Sequence, residues 1–201
     1  MMRGRVIRSQ LPCFARAVVK VGPGEHHVTD AADTAISTIL GSCVAACIRD
    51  PVAQVGGLNH FMLPQSRDGV WGKASASLRY GNFAMERLIN DILARGGHRS
   101  RLEIKLFGGA RLGRDHAAIG TRNADYAEAY LRDEGMVPLV RQLRGTRARL
   151  VVYVPATGRS FMRELPGEGV RLAAAERRFG RTVPACTGAG TIELFHQAGE
   201  V

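Results

Sequence analysis

Four side chains capable of nucleophilic and acid–base work fall in one stretch of the sequence: Ser37, Thr38, Cys43 and His60. A thiol becomes a strong nucleophile when a neighbouring base takes its proton, and a third polar group commonly fixes the base's tautomer. Cysteine, histidine and hydroxyl together point to attack on a carbonyl carbon. Cys43 follows Gly41-Ser42. A glycine there lets backbone approach a substrate closely, and the adjacent N–H groups are expected to meet the oxyanion that such an attack creates.

The elements that must position these groups are read from the turn between them. Asp50-Pro51 opens a turn, because proline presets φ and aspartate bonds the backbone that follows. The apolar runs on either side then form two hairpin strands. Folding between Pro51 and Val52 puts Cys43 directly across the ladder from His60, with Cβ atoms ~5 Å apart on one face. Gly56-Gly57 is the expected site of a bulge, and a one-residue slip there would turn the two groups to opposite faces. If the strand leading to Cys43 is continuous, residues 37, 39, 41 and 43 share a face, which selects Ser37 over Thr38 as the third group.

Each residue also has a plainer reading. A cysteine in an apolar run is more often a small buried hydrophobe, and Cys47, with no histidine opposite it in this register, keeps that reading. The C-x3-C spacing of Cys43 and Cys47 lacks a second ligand pair for structural zinc. All four cysteines, including Cys13 and Cys186, are expected to be reduced thiols. His26, His27, His98, His116 and His196 stand in polar or glycine-rich surroundings and are expected at the surface.

Around this hairpin, alternation predicts strands over 17–21, 102–107 and 149–154, with Leu102, Ile104 and Leu106 sharing one face. Arg144-Gly145 and Thr157-Gly158 are expected to join antiparallel hairpin arms. Met85, Leu88, Ile89, Ile92 and Leu93 form a helical stripe ended by Gly96-Gly97. A second helix is expected to begin after Asn123 as N-cap, to carry Tyr126, Ala127, Tyr130 and Leu131 on one side, and to stop at Gly135. From Pro166 onward only a short Ala-Arg-rich stretch, Leu172 to Arg178, reads as helical, so residues 166–201 are treated as a tail without assigned role.

With 201 residues, 45% of them apolar, the chain can bury one substantial core. Neither a membrane span nor a signal peptide is expected, since arginines and lysines interrupt every apolar run near the start. The net charge of +10 is spread along the chain without a nucleic-acid-binding motif, so no nucleic acid is expected. A basic surface instead suits an acidic partner.

Leu-Gly-Ser-Cys-Val-Ala at 40–45, Asp-Pro at 50–51 and Gly-Gly-Leu-Asn-His-Phe-Met-Leu-Pro at 56–64 resemble the bacterial chemoreceptor glutamine deamidases, the CheD family. The likeness continues in Lys-Leu-Phe-Gly-Gly-Ala at 105–110, Ile-Gly-Thr-Arg-Asn at 119–123 and Leu-Arg-Asp-Glu-Gly at 131–135. It spans residues 17–165, leaving 1–16 as an N-terminal extension and 166–201 as the tail. The resemblance implies an α/β (α+β) sandwich: a mixed, mostly antiparallel β-sheet core with flanking helices. It also implies Cys43 as catalytic cysteine and His60 as catalytic histidine. The family's third residue is a threonine six positions before the cysteine, where this chain has Ser37, with Thr38 one step later.

The implied activity is that of a protein-glutamine glutaminase, a cytoplasmic thiol hydrolase that needs no cofactor and no metal. Its implied substrate is the cytoplasmic domain of methyl-accepting chemoreceptors, and some members of the family are regulated by a chemotaxis phosphatase partner. The competing readings are another thiol amidase, transglutaminase or peptidase, and a non-enzymatic signalling adaptor.

Overall fold

The computed structural model describes residues 17–63, 74–112, 117–167 and 169–182. Two sheets face each other. The first has the order β1 (Ala17–Lys20), β3 (Thr34–Leu40), β8 (Ala148–Val154), β9 (Arg159–Leu165). The second has the order β2 (His26–Thr29), β5 (Val55–Asn59), β4 (Val44–Asp50), β6 (Glu103–Gly108), β7 (Val140–Leu143). Only β1 with β3 and β6 with β7 pair in parallel, and the other named pairs are antiparallel. The chain thus has the α+β, mainly antiparallel architecture expected of it.

Period-two alternation explains how the layers separate. Along β4, Ala45 and Cys47 face the first sheet and pack with Ile36, Leu40, Val151 and Tyr153. Val44, Ala46 and Ile48 turn to the opposite face, against α1 (Ala74–Leu93) and α2 (Ala117–Asp133). The central strand is buried on both faces and reads as nearly continuous apolar sequence. From α1, Met85, Leu88, Ile89 and Ile92 are all fully buried, each contributing roughly 1.5–3 kcal/mol of transfer free energy. Gly96 has φ 89°, and the Gly97 amide bonds the Ile92 carbonyl. Gly135 ends α2 in the same way, with φ 67° and a bond from Met136 to Leu131. Both are left-handed glycine caps that satisfy terminal carbonyls.

Several local expectations are corrected. The second helix starts at Ala117, six residues before the expected cap, so Asn123 is a buried interior residue. Arg144-Gly145 does not join hairpin arms, because β7 and β8 belong to different sheets. At that corner the Arg149 guanidinium bonds the carbonyls of Gln142 and Arg144 as the chain crosses over. Thr157-Gly158 does join an antiparallel pair, β8 and β9. Gly56-Gly57 forms no bulge. The two residues pair regularly with Arg49 and Ile48, and a Cβ on Gly57 would lie 2.3 Å from the His27 carbonyl oxygen.

The final described element is α3 (Gly169–Thr182), which contains the expected Leu172 to Arg178 stretch. No helix among the described residues is long and apolar enough to cross a membrane. Cys13, Cys186, His116 and His196 lie outside the described residues. His98 is exposed as expected, whereas His26 is partly buried and pairs with Asp91 at 2.6 Å.

Candidate active site

Cys43 sits at the end of the crossover from one sheet to the other. β3 ends at Leu40 in the first sheet, and β4 begins at Val44 in the second. Gly41, Ser42 and Cys43 make the bend, and every carbonyl of the three is bonded. Gly41 oxygen accepts from the Ala110 amide at 2.8 Å, Ser42 oxygen from Asn123 Nδ2 at 2.8 Å, and Cys43 oxygen from the Gly109 amide at 2.7 Å. Gly108 at φ 110° admits this approach, since a Cβ there would lie 2.1 Å from the Cys43 oxygen.

With the carbonyls held on one side, the amides gather on another, as in the concave backbone nests that bind anions. What they bind here is a carboxylate from α3. Glu176 Oε1 accepts from the Gly41 amide at 2.9 Å and more distantly from the Cys43 amide at 3.5 Å. Its Oε2 accepts from the Ser42 amide at 2.9 Å and the Ser42 hydroxyl at 2.6 Å. The Cys43 sulfur lies within 4.8 Å of this carboxylate.

His60 follows the last residue of β5. Its backbone amide donates to Glu25 oxygen at 2.9 Å, and its carbonyl accepts from the Gly24 amide at 2.7 Å. Thr38 Oγ1 donates its single proton to the Val21 carbonyl at 2.8 Å and lies 2.8 Å from His60 Nδ1. The hydroxyl therefore accepts from Nδ1–H. That assigns the neutral tautomer and leaves Nε2 as a lone pair, the one ring atom without a hydrogen-bond partner.

Electrostatics keep both groups neutral around pH 7. Burial lifts the Cys43 thiol well above its ordinary value, and the Glu176 charge pushes it further the same way. Burial holds His60 down to about 4, against the opposing influence of Glu176, the Val21 carbonyl and Glu25. Cys43 is fully enclosed and His60 nearly so with α3 in place. Cys47, also buried, has its thiol raised by desolvation.

Ligand atoms of Cys43, His60 and Glu176 lie within 4.8 Å of one another. A zinc ion at about 2.0–2.3 Å from each would draw them closer, and both Glu176 oxygens are already engaged by N–H and O–H donors. The trio fits a thiol, a base and a carboxylate occupant better than a metal shell.

Residues 62–164 match the family model described as CheD chemotactic sensory transduction. A protein of Rhodopseudomonas palustris named "Probable chemoreceptor glutamine deamidase CheD" is 52% identical over 94% of this chain and 90% of its own length. The chain belongs to the CheD family. Relatives with the same name in Acidiphilium cryptum and Caulobacter vibrioides are 44% and 51% identical, covering 92% and 72% of this chain and 96% and 76% of their own lengths.

On this CheD framework Cys43 and His60 are brought together, but not as direct ladder partners. Val44 bridges Phe61 and Cys47 pairs with Leu58, so the register is displaced by two residues and Cys43 lies diagonal to His60. The displacement comes from the turn. Asp50 Oδ1 accepts the amides of both Val52 and Ala53, and Gln54 takes φ 55°, which shifts the fold point one residue onward. A two-residue displacement preserves parity, so the two side chains still share a face.

The parity argument for Ser37 fails. Thr38 is the hydroxyl against His60, on the face that carries Ile36 and Leu40 toward the second sheet. Ser37 alternates with it, and its buried Oγ has no hydrogen-bond partner. The strand through 37 does not continue to 43, because the chain changes sheets at Gly41-Ser42, and alternation does not carry through the bend. Gly41 and Ser42 do present converging N–H groups. Glu176 was not singled out from sequence, and Asn123 and Gly108-Gly109 were noted there only as a helix cap and as parts of family motifs, not as supports of the site. Asn123 spans two segments at once, donating to Ser42 oxygen and accepting from the Leu63 amide at 3.0 Å.

Proposed function

We propose that this chain hydrolyses the side-chain amide of glutamines on the cytoplasmic helices of methyl-accepting chemoreceptors, with Cys43 as nucleophile and His60 as base. The name shared by the relatives supports the substrate class. The observation that carries the chemistry is the nest of amides at Gly41, Ser42 and Cys43 beside the thiol, filled by a side-chain carboxylate.

Glutamine has the length of Glu176, so its amide carbon would take the same place, with its oxygen on the nest. His60 Nε2 accepts the Cys43 proton, and the thiolate adds to the amide carbon. The oxyanion is held by the amides, which need no reorganisation because their carbonyls are tied down behind them. His60 returns the proton to the departing ammonia, leaving a thioester on Cys43. Water activated by His60 hydrolyses the thioester to glutamate and free thiol. Thr38 keeps Nδ1 protonated, so Nε2 is the basic atom throughout. Work on receptor helices inside the cell makes the protein cytoplasmic.

The test is peptide mapping of a receptor cytoplasmic fragment incubated with wild type and with Cys43→Ala. Glutamine-to-glutamate conversion by wild type, reduced at least about 10³-fold in the variant, supports the reading. Equal conversion by both, or cleavage or cross-linking in its place, refutes it.

A further inference from the structure

α3 is attached unlike the other helices. α1 buries four large apolar side chains completely, whereas the one fully buried side chain among those described on α3 is Glu176. Leu172 and Phe179 lie partly buried on the same stripe, four residues before and three after it. Phe179 reaches the loop at Gly24, where an added Cβ would lie 2.8 Å from its ring. Gly41 is equally confined, since a Cβ there would lie 2.5 Å from Leu112 and 2.8 Å from Glu176 Oε1. Among its described side chains, the helix is held by the partial apolar contacts of Leu172 and Phe179 and by one carboxylate seated in the amide nest.

That carboxylate is the product of the proposed reaction. Hydrolysis of a glutamine side chain yields a glutamate side chain, and Glu176 is a glutamate presented from a helix, on the nest and within 4.8 Å of the nucleophilic sulfur. It also opposes the reaction electrostatically, because its charge beside the sulfur raises the Cys43 thiol. We propose that α3 is an internal competitor that seats Glu176 as a product mimic in the substrate amide site, so that a receptor helix must displace it before its glutamine can react. This rests on the function proposed above. It adds that the resting enzyme is closed, and that the surface α3 covers is the one on which the substrate helix lies.

Competition of this kind lowers apparent affinity by the fraction of molecules that are open, so relief of it appears in KM more than in kcat. Glu176→Ala is expected to raise kcat/KM for a receptor cytoplasmic fragment at least about tenfold, chiefly through a lower KM. Glu176→Gln supplies a second readout in a nearly isosteric chain. It places an amide in the nest beside Cys43, and the same steps apply within one molecule: the thiolate adds, ammonia leaves with a proton from His60, and water hydrolyses the thioester. Peptide mapping of purified Glu176→Gln should find glutamate at position 176, and the Glu176→Gln/Cys43→Ala double variant should retain the amide.

Both results together support the competitor. An unchanged or lower kcat/KM in Glu176→Ala, or an amide that persists at 176 while wild type deamidates the receptor fragment, overturns it and leaves the proposed function standing. If neither receptor nor position 176 is deamidated in any Cys43-containing form, the proposed function and the competitor fail together.

Discussion

Two carboxylates among the described residues are buried against backbone amides, at opposite ends of the β4 strand, and they are held in different ways. Asp50 accepts from the amides of Val52, Ala53 and His98 and is paired with the Arg101 guanidinium at 2.7 Å. Two of those amides belong to its own turn. Glu176 accepts from three amides and a hydroxyl on a bend more than 130 residues away in sequence. It has no arginine or lysine partner among the described residues. One carboxylate comes with its own turn and a cation, the other arrives from a helix whose other described side chains are at most partly buried, and it lies beside a thiol. The first arrangement builds the hairpin, and the second occupies a place suited to something else.

The contrast is sharpened by removing each group in turn. Asp50→Ala leaves three amides without their acceptor and frees the turn that sets the register of Cys43 and His60. Its expected cost is about 2–3 kcal/mol in urea denaturation, kept modest because Arg101 is partly open to water. Glu176→Ala should cost about 1.5 kcal/mol in the same assay, the equivalent of the tenfold closed population it removes, and no more, because its donors can turn to water once α3 lifts. Equal losses would erase the distinction between a structural and a displaceable carboxylate.

The Asp50 arrangement also has a pH signature. Arg101, followed by the three amides, holds the folded-state carboxyl below the ordinary aspartate range, against the raising effect of burial. The stability this brings is therefore complete above the unfolded-state value near about 4 and is lost as pH falls through the lower folded value. Denaturation midpoints that fall below about pH 4 in wild type, with a flatter profile in Asp50→Ala, are the expected outcome. Parallel profiles would remove Asp50 from the account.

At the other end, Thr38→Val removes the acceptor for His60 Nδ1–H while keeping the shape of the side chain. A fall in kcat of about tenfold or more with KM little changed is expected, with recovery in Thr38→Ser. Ser37→Ala should leave kcat within about twofold. The reverse ranking would restore the strand-parity reading.

How far the sequence could be read depended on how local each determinant is. The stripe from Met85 to Leu93, the caps at Gly96 and Gly135 and the β8–β9 turn depend on neighbours a few residues apart, and they were legible. The shared face of Cys43 and His60 was legible because parity survives a two-residue register displacement, although the pairing itself was not. That Thr38 and not Ser37 meets His60 was not legible, because one bend changes sheets and resets alternation. Asn123 resembled a helix cap because its type favours that place, and only tertiary packing puts it inside α2 between Ser42 and Leu63. Glu176 gave no local sign. One acidic residue in an Ala-Arg-rich helix looks like solvated surface until the helix returns to the bend at Gly41.

The central claim is that a bond forms between Cys43 sulfur and a glutamine side-chain carbon, and acid quenching during turnover of a receptor fragment, followed by mass spectrometry of the Cys43 peptide, tests it most directly. The account predicts an adduct equal to the glutamine peptide less ammonia, carried on Cys43 and absent when Cys43 is replaced by alanine. Receptor glutamate accumulating at the wild-type rate while Cys43 stays unmodified at every time point, with Cys43→Ala equally fast, would contradict it.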